Sequence, residues 1–323
     1  MDRVLNYRAE IFGFLILWIV IFHIERVVGL PIYLPIITPF IQRGNCAVDI
    51  FMFLSGFCLC LSLKREYNIK KFYAKRFKRV VISYLLVAIP FFIWKSFQEY
   101  STSRLEHFFF DLSGLSFWFR GCQNAWFVHA IIAFYLITPL LFKLVKKDIR
   151  YAIFSLGLLY VLNFLAYYFS PFYRYSSVAL MRFPIFFIGV LLAYYVPHFD
   201  FRNKRAFLVL FLMLCFFFLM YFPSRGFYSW FLYGAMVIPI LWLLSLAFER
   251  LSRIFIPLFS SIGKISLEIY LCHIMILHIF RIYKVEQSIG YWMYFVLLFL
   301  AISCSFLVVN MAKRIANYII INI

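Results

Sequence analysis

The chain has 323 residues, of which 65% are hydrophobic and only 14% charged. A soluble domain carries about 25% charged residues, so the composition excludes an ordinary soluble domain and points to a polytopic membrane protein. The net charge of +19 fits Lys and Arg gathered in cytoplasmic loops, and no nucleic-acid module is expected.

At roughly 20 residues per crossing, the length suits an all-α bundle of about ten transmembrane helices. The 44 Phe and 23 Tyr agree with this, since Phe is at home in lipid and Tyr at the headgroup level. In chain order the expected spans are 11–30, 46–63, 80–97, 126–143, 151–170, 181–197, 206–222, 228–248, 265–282 and 291–310. The first apolar run has no small-residue cleavage site and is followed by further spans, so it reads as a retained helix, not a signal peptide. With the N-terminus inside, about two thirds of the 32 Lys and Arg fall in inner segments, the asymmetry expected of an N-in, C-in protein. Residues 1–323 form one membrane domain in this reading, with no internal repeat and no appended soluble domain.

Ionisable groups in a bilayer are costly, so each is a candidate for function. In the first span, His23 stands 12 residues past Ile11, about 18 Å up the helix and in the outer half of the membrane. Asp49 begins the second span at the same outer depth. A carboxylate beside an imidazole fixes its tautomer and raises its basicity, which suits a general base. A polar pair that only joins two helices is the alternative. Arg8 precedes His23 by 15 residues, about 60° around the helical wheel. It either faces the same cavity lower down or anchors the helix in the inner headgroups. Ser55 and Gly56 permit close helix approach at mid-membrane, as packing or as cavity wall.

The inner loop from Lys64 to Arg79 is densely basic. Within it Arg76 and Arg79 share one helix face, and their forked guanidinium groups match phosphate oxygens. Attraction to anionic lipid is the other reading, and Lys64, Arg65, Lys70, Lys71 and Lys75 fit that one. The outer loop from Phe97 to Ala125 reads as an interfacial or re-entrant segment. Trp126 and His129 open the fourth span. On the ninth, Ser266, Tyr270 and His273 form one stripe, with Glu268 near the inner end; the stripe lines a cavity or glues helices together.

The seven cysteines sit mostly in apolar runs as small hydrophobes. None has metal-site spacing with His, so no metal is expected. Cys46 and Cys122 both fall near the outer face, where a disulfide and two separate thiols are both open.

Taken in order, these segments resemble the acyltransferase-3 family of integral membrane acyltransferases. The carriers are Ile19-Val-Ile-Phe-His23, then Gly44-Asn-Cys-Ala-Val-Asp49-Ile-Phe51-Met-Phe53-Leu-Ser55-Gly56-Phe57, then Phe72-Tyr-Ala-Lys-Arg76-Phe-Lys-Arg79 with Tyr84. Weaker carriers are Trp126-Phe127 with Tyr135 and Pro139, and Ser266-Leu-Glu-Ile-Tyr270-Leu-Cys-His273. The resemblance covers nearly the whole chain. It implies a bacterial plasma-membrane enzyme that uses cytoplasmic acyl-CoA, acetyl-CoA first, to decorate a glycan or lipid-linked saccharide. It also implies that His23 is catalytic and that Arg76 and Arg79 match the family's paired arginines. The family commonly has an Arg eleven residues before that His, where this chain has Phe12; Arg8 lies one turn lower and reaches toward the same space.

The expected mechanism binds the nucleotide end of acyl-CoA at Arg76, Arg79 and Arg8. His23, oriented by Asp49, takes the proton of an acceptor hydroxyl, and Ser55, Trp126, His129, Tyr270 and His273 are candidate cavity residues. A transporter or flippase for a lipid-linked sugar would use the same cavity without chemistry, but no inverted pair of broken helices supports it. A structural scaffold for polysaccharide assembly would need no intramembrane His.

Overall fold

In hydrocarbon every backbone N–H and C=O must be satisfied within its own segment, so long apolar runs become helices. A computed structural model of the chain describes residues 2–99, 102–122, 124–171, 173–195, 211, 227–251 and 254–321. Every regular element among the described residues is helical.

The main helices, in chain order, are α1 (Arg8–Val28), α2 (Cys46–Arg65), α3 (Ile69–Glu99), α4 (Trp126–Lys147), α5 (Ile149–Phe169) and α6 (Tyr173–Tyr195). They continue with α7 (Phe227–Arg250), α8 (Phe255–Lys264), α9 (Ser266–Ile282) and α10 (Met293–Ile321). Helices α1 to α6 and the Val285–Tyr318 stretch that contains α10 are each long and apolar enough to cross a membrane. Helices α8 and α9 meet at 70° and make an eighth crossing if taken as one bent span. The described residues thus carry seven or eight such spans, where about ten were expected from the whole sequence. The expected span at 206–222 lies outside the described residues except for Phe211. The one at 228–248 coincides with α7.

Alternation along the chain sets the two ends of the bundle. Arg8, Arg65, Arg76, Arg79 and Lys264 gather at one end, called here the basic end, while His23, Asp49 and the 104–120 segment lie toward the other. Apolar side chains such as Phe154, Phe169, Phe295 and Phe299, each 70–78% exposed, form the surface that faces lipid.

Two close helix contacts place the site. A Cβ on Gly13 would lie 2.1 Å from the Phe259 carbonyl oxygen, and one on Gly263 would lie 1.7 Å from that of Ala9. Only glycine lets α8 lie this near α1. Likewise a Cβ on Gly56 would meet the Phe186 carbonyl oxygen at 2.1 Å, and one on Gly189 that of Phe53 at 2.2 Å. These glycines join α2 to α6 in the way small residues join membrane helices generally. Between the two contacts, α2 is buried along most of its length.

The segment after α3 folds into two short helices, Arg104–Leu112 and Leu115–Arg120. Lys95 of α3 holds the first of them through Asp111 at 2.8 Å, both side chains being buried. Cys46 and Cys122 are not joined as a disulfide; Cys122 Sγ lies 3.6 Å from Lys95 Nζ.

Candidate functional site

Helix α3 is not uniformly wound. Residues Phe77–Val81 form a π-helical turn, and such turns are frequent at functional sites. Arg76 enters this turn and Arg79 lies within it. Both side chains line a cavity of about 370 Å³.

The cavity sits among α1, α2, α3, α4 and the α8–α9 bend. Its basic end holds Arg8, Arg76, Arg79 and Lys264. Its middle is lined by Phe12, Phe51, Leu54, Ser55, Cys58 and Tyr135, and its far wall is built from Ile19, Phe127 and Tyr270. The departure at Phe12 leaves the cavity basic, because Arg8 supplies a guanidinium one turn below, with Nη1 3.5 Å from Cys58 Sγ. Phe12 itself stacks on Phe51 with centroids 4.8 Å apart.

The four cations differ in how they are held. Arg79 makes a forked ion pair with the buried carboxylate of Glu268, donates to the Lys264 carbonyl oxygen at 3.0 Å, and shares Glu268 with Ser83, whose hydroxyl donates at 2.7 Å. Arg76 stacks against the rings of Phe72 and Tyr135, 5.5 and 5.9 Å from their centroids. Among the described residues its buried Nε has no hydrogen-bond partner, and neither Arg76, Arg8 nor Lys264 pairs with a carboxylate. Charges left uncompensated around one cavity favour an anionic ligand. Guanidinium groups match phosphate oxygens in particular.

His23 and His273 lie immediately beyond the far wall. Ile19 and Tyr270 of that wall precede them by about one helical turn on α1 and α9. His23 Nδ1 and His273 Nε2 are 3.2 Å apart, with ring centroids at 5.2 Å. His273 is fully buried and its Nδ1 is 2.9 Å from the Ile269 carbonyl oxygen. His23 is half-buried. Tyr270 accepts a hydrogen bond from the Phe127 backbone N–H at 3.3 Å, tying α9 to α4.

The expected pairing of Asp49 with His23 is corrected by this geometry. Asp49 Oδ1 lies 3.3 Å from Arg182 Nε, both side chains being 2% exposed. Counting along the helices put Asp49 near His23, but the guanidinium of Arg182, in the Met181–Arg182 turn within α6, neutralises a buried carboxylate more completely than a neutral imidazole does. Trp126, expected at the cavity, packs instead on the Arg182 guanidinium at 5.2 Å. His129 is also placed elsewhere. Its Nε2 is 2.9 Å from the Tyr84 hydroxyl, which donates to the Leu112 carbonyl oxygen at 2.8 Å. Gly114, at φ 79°, passes so near His129 that a Cβ there would be 2.8 Å from the imidazole carbons. His129 therefore fastens the 104–120 segment to the bundle.

Of the expected site residues, the structure brings Arg8, Ser55, Arg76, Arg79 and Tyr270 into one cavity and sets His23 and His273 behind its far wall. Asp49, Trp126 and His129 stand apart. Sequence reasoning missed Lys264, Tyr135 and Arg182 as partners in the site or beside it. Arg182 carried a readable signal, since a cation within an apolar run needs a buried partner. Tyr135 stood in the sequence only as a weak carrier of the family resemblance, and Lys264 carried no signal beyond its type. No cluster of His, Cys, Asp and Glu able to hold a metal occurs among the described residues.

A family model described as an acyltransferase domain, the acyltransferase-3 model, matches residues 13–310. No curated protein and no solved structure matches the chain.

Proposed function

The chain belongs to the acyltransferase-3 family, and from that premise we propose that it moves an acyl group from acyl-CoA to a hydroxyl of a cell-surface glycan or lipid-linked saccharide. Acetyl is the first candidate for the group transferred. The observation that carries the donor is the cavity's basic end, where Arg8, Arg76 and Lys264 have no carboxylate partner among the described residues and Arg79 is half-exposed. Coenzyme A brings a pyrophosphate and a 3′-phosphate to such a rim, and charge-assisted hydrogen bonds to phosphate are the strong kind.

The flexible arm of the donor then runs along Phe12, Phe51, Ser55 and Tyr135 toward the wall of Ile19, Phe127 and Tyr270. In this reading the thioester is presented at that wall, one turn from His23. The imidazole takes the proton of the acceptor hydroxyl, whose oxygen attacks the thioester carbonyl. The C–S bond breaks and the coenzyme A sulfur leaves with the proton returned by His23. The multi-pass membrane setting lets donor and acceptor approach from opposite ends of one bundle.

The test uses purified protein in nanodiscs with acetyl-CoA and a crude cell-surface glycan extract, the wild type beside His23→Ala. Coenzyme A release that the variant lacks is the expected result. Full release by His23→Ala would remove the base from the mechanism. Absence of both release and acetyl-CoA binding in the wild type would overturn the donor.

A further inference from the structure

The hydrogen bonds of the two imidazoles have a direction, and it specifies which nitrogen of His23 is left free. His273 Nδ1 is 2.9 Å from the Ile269 carbonyl oxygen. A carbonyl oxygen can only accept, so the proton of a neutral His273 ring is on Nδ1 and its Nε2 accepts. That Nε2 faces His23 Nδ1 at 3.2 Å. With both rings neutral, His23 Nδ1–H must be the donor, and His23 Nε2 keeps its lone pair.

We infer that His273 is a positioning residue, which holds His23 in the Nδ1-protonated tautomer and so presents Nε2 as the base toward the acceptor hydroxyl. The inference deepens the proposed function and rests on its assignment of His23.

The surroundings suit that role. His273 is fully buried on α9, its ring packed against Tyr270 at 5.6 Å and anchored to its own helix through Ile269. It is the more deeply buried member of the pair, and half-buried His23, which has its own backbone contact at Ile19, is the more accessible one. The carboxylate expected to orient His23 is engaged elsewhere, Asp49 being bound to Arg182. A neutral imidazole acceptor fixes the orientation of a base without placing a second charge in the membrane, where charge is expensive. The second nitrogen's hydrogen bond is the general device by which proteins select an imidazole tautomer.

The proton balance follows. His23 Nε2 takes the hydroxyl proton as the oxygen–carbonyl bond forms. The imidazolium so made carries N–H on both nitrogens and still donates through Nδ1 to His273. As the C–S bond breaks, Nε2–H passes to the leaving sulfur, and the starting tautomer is restored.

Nitrogen-15 spectroscopy of histidine-labelled protein in nanodiscs reads the tautomer directly, with the His23 signals assigned by their loss in His23→Gln. The wild type should show His23 protonated at Nδ1 and bare at Nε2. His273→Leu should lose that tautomer and lower the rate of coenzyme A release at saturating acetyl-CoA by about 100-fold, the low end of what a general base contributes. The KM for acetyl-CoA should change less than about twofold, because the donor site lies at the other end of the cavity. His273→Gln, whose side-chain oxygen can still accept, should keep the tautomer and most of the rate. A wild-type spectrum with His23 protonated at Nε2 overturns the inference, whether or not any variant folds. Wild-type rates in His273→Leu, or equal losses in the Leu and Gln variants, also overturn it. Transfer that persists in His23→Gln instead overturns the assignment of His23 as base, which separates the two failures.

Discussion

Asp49 on α2 and Arg182 on α6 form an ion pair with Nε and Oδ1 at 3.3 Å, closed off from solvent on both sides. The pair crosses the same α2–α6 interface that Gly56 and Gly189 draw together, and Trp126 of α4 covers it through the Arg182 guanidinium. Three helices therefore meet at one neutralised charge pair. Asp49→Asn removes the Asp49 carboxylate from a buried guanidinium, and the stability lost should be about 3–5 kcal/mol. Combining it with Arg182→Met should recover at least half of that loss. Thermal melting of the two single variants and the double in one detergent forms the cycle. Additive losses would mean that the two side chains do not act as a pair.

Arg76 and Arg79 are three residues apart but should fail differently. Arg76 has no carboxylate partner among the described residues, so Arg76→Ala should cost no more than about 1 kcal/mol of stability, from its ring contacts, and raise the KM for acetyl-CoA about tenfold or more, from a lost charge-assisted bond of ~1.5–3 kcal/mol. Arg76→Lys should recover only part, since an ammonium cannot fork. Steady-state kinetics beside a melting curve decide the matter; a stability loss without a KM change would place Arg76 among the structural residues.

Arg79 serves the fold as well as the cavity. Among the described residues, its removal leaves the fully buried Glu268 with only the Ser83 hydroxyl. Arg79→Ala should therefore destabilise the protein by about 1–3 kcal/mol, and Arg79→Ala with Glu268→Gln should be more stable than Arg79→Ala alone. Equal melting temperatures for wild type and Arg79→Ala would contradict the structural half of its role.

The glycine contacts make a prediction independent of any ligand. Gly263→Ala puts a methyl group on the Ala9 carbonyl and must push α8 off α1, opening the basic end of the cavity. Such overpacking costs about 1–3 kcal/mol or more, and yield and melting should both fall. Gly157 on α5 has nothing within 4 Å of its Cβ position. Gly157→Ala should leave melting unchanged or raise it by up to about 1 kcal/mol, the helix-propensity gain. Equal behaviour of the two variants would show that the α1–α8 approach is not tight.

Much of the site could be read from residue types and their order. Arg8, Arg76, Arg79, Ser55 and Tyr270 were reachable because a helix keeps its face: spacing along α1, α2, α3 and α9 predicts which side chains look the same way. His23 and His273 could each be singled out as rare imidazoles in apolar runs, but nothing in the sequence indicates that residues 250 positions apart meet. Asp49 shows the limit. Counting along one helix can suggest its depth, but its partner, Arg182 in place of His23, follows from how several helices pack.

The sequence by itself determined that the chain is an all-helical membrane protein, where most of its crossings lie and which end collects the basic charge. Those are one-dimensional properties, set by the cost of unsatisfied backbone in lipid and by the length of an apolar run. Tertiary structure alone decided that a guanidinium rather than an imidazole neutralises Asp49 and that a π-helical turn brings Arg79 to Glu268. It also decided that a 70° bend delivers Lys264 to the cavity and that His273 stands behind His23. Each depends on the rotation and separation of helices fixed by glycine contacts and side-chain shape, which no count along the chain contains.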